Sequence, residues 1–244
     1  MDPTLYHKFF EVEERHWWFV ARQRIVLDVI RRSLGAGQGR PALDVGCGTG
    51  AFLKELSKEW EGWGTDTSEL AVEYAKRRGL ERVFRCTLDA FPHVHKRFEL
   101  ITALDVIEHI DDDVAVLRQM GGLLTPAGKI VVTVPAYPWL WSKHDDMNHH
   151  CRRYTRHTLQ RSLTAAGLHI EHNTYLNTFL FPLALVQRVV ANATGALIDD
   201  GLTVPAGWMN STLETVFAFE RHVVGQVRMP FGLSLLAVAR RGRE

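Results

Sequence analysis

Residues 42 to 50 read Ala42-Leu43-Asp44-Val45-Gly46-Cys47-Gly48-Thr49-Gly50, an apolar run and an acid set directly before a glycine-rich turn. The run predicts a short buried strand, and the glycines permit a tight turn in which a ligand approaches the backbone closely. A helix beginning near Ala51 completes a strand, turn and helix unit. Turns of this composition also hold dinucleotides when spaced G-x-G-x-x-G. Here the spacing is Gly46-x-Gly48-x-Gly50, and Asp44 brings negative charge beside the turn. That charge disfavours a pyrophosphate and suits a cationic ligand.

Upstream, Leu5, Phe9, Val12, His16, Phe19, Ile25, Val29 and Ile30 recur at spacings near three and four, which predicts helix from Thr4 to Leu34. The breaker-rich Gly35-Ala36-Gly37-Gln38-Gly39 ends it. Downstream, strands are predicted at Trp60 to Thr65, Arg82 to Cys86, Phe98 to Leu104, Lys129 to Val134, Leu168 to Tyr175 and Gly232 to Arg240. Helices are predicted at Ala51 to Lys58, from the Ser68 cap to Arg78, and at Asp111 to Leu124, Thr155 to Ala166, Thr178 to Ala193 and Asn210 to Val227. The Phe98 to Leu104 run is apolar almost throughout, as expected of a strand buried on both faces. The alternation predicts a doubly wound α/β fold with ligands at the carboxyl ends of a mostly parallel sheet.

At 244 residues and 46% hydrophobic composition, the chain suits one core with additions. Its 29 basic and 28 acidic residues leave a net charge of +1, so nucleic acid is not an expected partner. The three cysteines, Cys47, Cys86 and Cys151, form no CxxC pair and suggest neither a disulfide framework nor a thiolate zinc site. With an acidic N-terminus and no secretory signal, the expected setting is the cytoplasm. From Asn173 to Gln187 the sequence carries no charge, yet at fifteen residues it is short for a bilayer span. Burial or peripheral membrane contact fits it better, and a homodimer contact is also open.

The stretch Leu43 to Gly50 resembles the first motif of the class I S-adenosylmethionine-dependent methyltransferases. That resemblance implies a single domain over residues 1–244, with a helical lid at 1–39, a cofactor-binding core at 40–177, a helical insertion at 178–227 and a last strand at 228–244. It also implies a seven-stranded sheet whose last strand is antiparallel. The cofactor it implies is S-adenosylmethionine, which has a sulfonium and an amino acid tail but no phosphates. Asp44, Gly46, Cys47, Gly48 and Gly50 would then cup its methionine end. Asp66 and Thr67 would meet its ribose, Asp89 and Ala90 its adenine, and Leu104, Asp105 and His109 would border the methyl group. Asp105, Glu108 and His109 also offer donors for a divalent ion, but no further ligand can be read from the spacing. No metal ligand set is assigned.

Methyl transfer needs an aligned nucleophile and a proton acceptor. His144, with Asp145 beside it, is the favoured base, and His149 and His150 compete. Trp17, Trp18, Tyr137, Trp141, Arg152, Arg153 and Tyr154 are candidates for acceptor contact, the two arginines for an acidic group. The His-Trp-Trp-Phe helix, the 144 to 155 loop and the closing Pro230-Phe231-Gly232-Leu233-Ser234 resemble a bacterial tailoring-type subgroup acting in natural product biosynthesis or on glycans and lipid-linked sugars. The expected function is O-methylation of a small-molecule, glycosyl or lipid-linked acceptor. The rivals are a nicotinamide-dependent oxidoreductase and a non-catalytic cofactor-binding partner subunit.

Overall fold

A computed structural model describes residues 3–186 and 202–242, with only the backbone described for Pro3, Thr4 and His144. Seven strands form one sheet: β1 (Pro41–Val45), β2 (Glu61–Asp66), β3 (Val83–Arg85), β4 (Phe98–Leu104), β5 (Leu124–Pro135), β6 (Leu168–Leu176) and β7 (Ser234–Arg241). Their order is β3-β2-β1-β4-β5-β7-β6. The pairs from β3 through β5 are parallel, and β7 runs antiparallel to both of its neighbours. Strand order reverses between β1 and β4, which makes their carboxyl ends the crevice where ligands bind in open α/β sheets.

Packing explains the central strands. Leu43 in β1, Phe98, Leu100, Ile101 and Ala103 in β4, and Ile130 to Val132 in β5 have no exposed surface. Helices cover both faces: α3 (Ala51–Leu56), α4 (Glu69–Arg77), α5 (Asp113–Leu123) and α7 (Arg156–Ala165) alternate with the strands, while α6 (Lys143–Met147) is one turn in the loop after β5. Ser68 caps α4 through Ala71 N, and Thr155 caps α7.

The expected single N-terminal helix is two, α1 (Pro3–Val12) and α2 (Trp17–Leu34). His16 adopts an extended backbone, and its ring accepts from Trp18 N at 3.3 Å, so it starts a helix instead of continuing one. The strand expected from Lys129 starts earlier, at Leu124, with an irregular register against Phe98 and Leu100. Gly128 allows this, because a Cβ there would lie 2.7 Å from the Phe98 carbonyl oxygen.

In the C-terminal addition, residues 181–186 are helical, and the remainder of the helix expected to Ala193 lies outside the described residues. The second expected helix is α8 (Gly207–Phe219), which packs against α2. Asn210 accepts from Trp17 N at 3.0 Å and donates to the Arg15 carbonyl at 2.9 Å, while Arg24 pairs with Glu214 at 2.5 Å. Among the described residues, no helix is long and apolar enough to cross a membrane.

Glu220, fully buried just after α8, accepts from Asn177 N at 2.7 Å and Phe179 N at 2.9 Å. Asn177 has a φ of 58°, so this carboxylate holds a strained turn beside the end of β6. Glu220→Ala strands two buried donors and should cost about 2–5 kcal/mol in equilibrium urea unfolding, against about 1 kcal/mol for Glu220→Gln.

Candidate active site

The glycine loop leaves β1 at the crevice. Gly46 takes a φ of 68° and packs so tightly that a Cβ would lie 2.6 Å from a Val106 methyl. Gly48 takes a φ of 54° but has nothing within 4 Å of a built Cβ, so its left-handed backbone is open to an approaching ligand. Its N–H donates to Asp66 Oδ2 at 2.9 Å, and Ser68 N donates to Asp66 Oδ1 at 2.8 Å. Asp66, half-buried at the end of β2, is thereby fixed beside the loop while exposed Thr67 follows it. Asp44 is buried, and its Oδ1 accepts from Thr102 Oγ1 at 2.6 Å.

Carboxylates crowd this edge. Burial pushes the Asp44 carboxyl up to about 7 against the Thr102 hydrogen bond and nearby Arg22, with Asp66 and Glu13 adding repulsion. Burial likewise pushes Glu13 up to about 7, opposed by Thr49, Arg78 and Arg22. The Asp66 carboxyl is also raised by burial, less the effect of its backbone donors.

The cations that answer these acids were not among the residues singled out from the sequence. Arg22, one turn after Trp18 on α2, lies over that indole at 4.3 Å and ion-pairs with Asp105 at the end of β4. Asp105 holds a φ of 57° and accepts from Thr133 Oγ1 at 3.0 Å. Arg78, at the end of α4, donates to the Thr49 carbonyl at 2.8 Å and the Phe10 carbonyl at 2.9 Å, and pairs with Glu14 at 2.6 Å. Thr49 in turn donates to Glu13. The first two helices are therefore tied to the glycine loop. An aromatic followed four residues later by a base on one helix face was the only sequence signal for Arg22, and Arg78 had none.

The loop after β5 differs from expectation. Asp145 does not serve as a base's exposed partner. It is fully buried, accepts from Arg153 Nε at 2.6 Å and Nη2 at 2.9 Å, lies 2.8 Å from His150 Nδ1, and accepts from Ser142 N at 2.8 Å. Burial pushes its carboxyl up, but the His150 and Arg153 bonds outweigh that and hold it well below its usual range. Arg153, expected to meet an acidic acceptor, is buried and spent on this pair and on the Ala136 carbonyl. Tyr154 is a core pin rather than an acceptor contact, with its hydroxyl donating to Asp113 at 2.8 Å. Arg152 is half-buried, donating to the Asp111 carbonyl at 2.8 Å and pairing with Asp113 at 3.3 Å.

Other candidates lie in between. His149 is exposed, with a φ of 55°. The side chain of His144 lies outside the described residues; its backbone belongs to α6. Tyr137 is half-buried and stacks on Tyr175 at 5.1 Å, and exposed Trp141 donates to Asp146 at 2.9 Å. Trp17 packs edge-on against Phe217 at 6.1 Å, facing α8. Cys47 is buried in the loop, Leu104 is half-buried, and Asp89 and Ala90 are exposed beyond β3. His109, half-buried, meets the His150 ring edge-on at 4.6 Å.

The family profile described as "Methyltransferase domain" matches residues 19–173. Among curated proteins, the ubiquinone biosynthesis O-methyltransferase of Bordetella avium is 28% identical over 143 residues, 52% of this chain and 59% of that protein. The chain spans about half the length of the curated relatives it matches. Among solved structures, an S-adenosylmethionine-dependent methyltransferase from Clostridium acetobutylicum superposes with a TM-score of 0.59 at 13% identity, covering 91% of each chain. The plantazolicin methyltransferase BpumL, in complex with a triazolic desmethylPZN analog and SAH, does so with a TM-score of 0.62 at 12% identity, covering 98% of this chain and 91% of that one. These two likenesses show the shared fold. Nothing in the comparisons favours an oxidoreductase or a non-catalytic subunit.

The raised carboxyls make a pH prediction. Asp44 and Glu13 keep their protons to about 7 in the folded chain but lose them near 4 when unfolded. Their contribution is complete below pH 4 and is lost as pH rises to about 7, by at most about 4 kcal/mol for each group. The melting temperature of the ligand-free protein should fall over that window in differential scanning calorimetry, and Asp44→Asn should flatten the slope.

Proposed function

The chain belongs to the methyltransferase domain family, and from that premise we propose that it moves the methyl group of S-adenosylmethionine to an oxygen of a small-molecule, glycosyl or lipid-linked acceptor. The observation that carries this reading is the acid-ringed glycine loop at the β1 and β4 ends, with Arg22 reaching into it. A donor with a sulfonium, an ammonium and a carboxylate matches that charge pattern. Asp44 and Asp105 suit the two cationic groups, Arg22 suits the carboxylate, and the open Gly48 backbone admits the chain between them. Asp66 is set to accept from ribose hydroxyls, with Thr67 beside it, and Asp89 and Ala90 face the adenine end. A dinucleotide's pyrophosphate would meet repulsion from the same carboxylates.

The donor supplies an activated methyl group, and its positive charge disappears during transfer. The residues of the chain have two tasks, to exclude water and to take a proton from the acceptor. Helices α1 and α2 act as the lid for the first task, tied down through Glu13, Arg78 and Asn210. His144 or His149, on the loop at the carboxyl end of β5, takes the proton for the second. Tyr137 and Trp141 line the acceptor side, and Leu183, Trp208 and Phe219 expose apolar surface suited to a greasy or lipid-linked acceptor, peripheral membrane contact or a homodimer. The cytoplasm, where the free thiols Cys47, Cys86 and Cys151 stay reduced, is the proposed setting.

Calorimetry tests the donor assignment. S-adenosylhomocysteine should bind and nicotinamide dinucleotides should not. Arg22→Ala should weaken that binding about 10- to 100-fold by removing a charged hydrogen bond. With hydroxylated acceptors, His144→Ala or His149→Ala should lower kcat by about 10²- to 10⁴-fold while product affinity is kept. Dinucleotide occupancy of the cleft would overturn the assignment.

A further inference from the structure

One buried group near the crevice has no role in the account above. Glu108 lies on the 3-10 turn Ile107–His109 after β4 and has no exposed surface. Neither of its carboxylate oxygens has a hydrogen-bond partner. Arg22 and Arg153 act on it only at longer range, while burial and then Asp105 push its carboxyl well above the ordinary value. A buried carboxyl with both oxygens unsatisfied is costly whether ionised or neutral, and the fold has no evident structural use for it.

Two imidazoles stand beside it. One donor atom each from Glu108, His109 and His150 lies within 4.8 Å of the others. His109 follows Glu108 directly, and His150 arrives from the loop after β5, where the Cys151 N–H donates to the Glu108 carbonyl at 2.7 Å. The His150 ring is oriented from behind. Its Nδ1 is 2.8 Å from Asp145, which Arg153 and Ser142 hold in place. A carboxylate behind an imidazole is the usual way a metal-ligating ring is aimed and its tautomer set.

We propose that Glu108, His109 and His150 form a binding site for a divalent first-row transition ion. Two imidazoles with one carboxylate suit such an ion, whereas calcium and magnesium favour oxygen donors. Asp105 is engaged by Arg22 and Thr133, so the rest of the coordination falls to water or to acceptor oxygens. Occupancy of the site does not depend on the methyl-transfer reading. Its use does rest on that reading: an acceptor hydroxyl bound to the ion would give up its proton more readily.

The test uses the full chain, stripped with chelator and titrated with Co²⁺ in the absence of any donor, followed by visible ligand-field absorption and calorimetry. One equivalent should bind, be displaced by Zn²⁺ and raise the melting temperature. Glu108→Gln, His109→Gln and His150→Ala should each weaken Co²⁺ at least about tenfold, with S-adenosylhomocysteine affinity unchanged in Glu108→Gln and His150→Ala as the check on folding. No saturable Co²⁺ binding below about 1 mM by the wild-type chain, or equal binding by all three variants, would overturn the proposal. Co²⁺ bound without S-adenosylhomocysteine affinity would sink the donor reading and leave the metal site standing. The reverse result would do the opposite.

Discussion

Mutual repulsion among carboxylates gathered at the carboxyl ends of β1, β2 and β4 is the constraint to which the rest of the molecule answers. Asp44, Asp66, Asp105, Glu108 and Glu13 come together in a poorly solvated crevice, where like charges interact far more strongly than in water. Three devices relieve that repulsion. Thr102 and backbone N–H groups bond the acids directly, Arg22 and Arg78 bring positive charge from helices, and burial keeps some carboxyls protonated near neutral pH. A cationic ligand would supply a fourth.

The same logic explains the N-terminal helices. Their docking is not driven by apolar burial alone, although Ile25, Val26, Val29 and Ile30 are buried against the core. Arg22 and Glu13 bind α2 and the turn before it to the acids and the glycine loop, and Asn210 and Glu214 bind them to α8 from the other side. A ligand entering beside Gly48 must therefore disturb contacts that also hold the helices. In this way the glycine loop and the N-terminal helices share one set of charges.

At the carboxyl end of β5, the Asp145 and Arg153 pair fixes the loop that follows. A bidentate, buried arginine–carboxylate contact has little freedom, and it sets the direction of the His150 ring. Residues that read in the sequence as exposed chemistry are structural here, and they hold the His150 ring. His150 lies 42 residues beyond Glu108 in the chain, so no local spacing could announce that the two meet.

The sequence by itself determined the architecture. Apolar runs such as Phe98 to Leu104, the Ser68 and Thr155 caps and the glycine loop are local signals, and burial on both faces of a parallel sheet leaves them few alternatives. Local signals also placed Asp44 and Asp66 beside the loop. They failed where a choice depended on distant partners: whether His16 continues a helix or caps one, whether Arg153 faces a ligand or Asp145, and which cation meets Asp105. Tertiary structure decided those, because the charge state, burial and direction of a polar side chain are set by what the fold brings within a few ångströms of it, not by its neighbours in the chain.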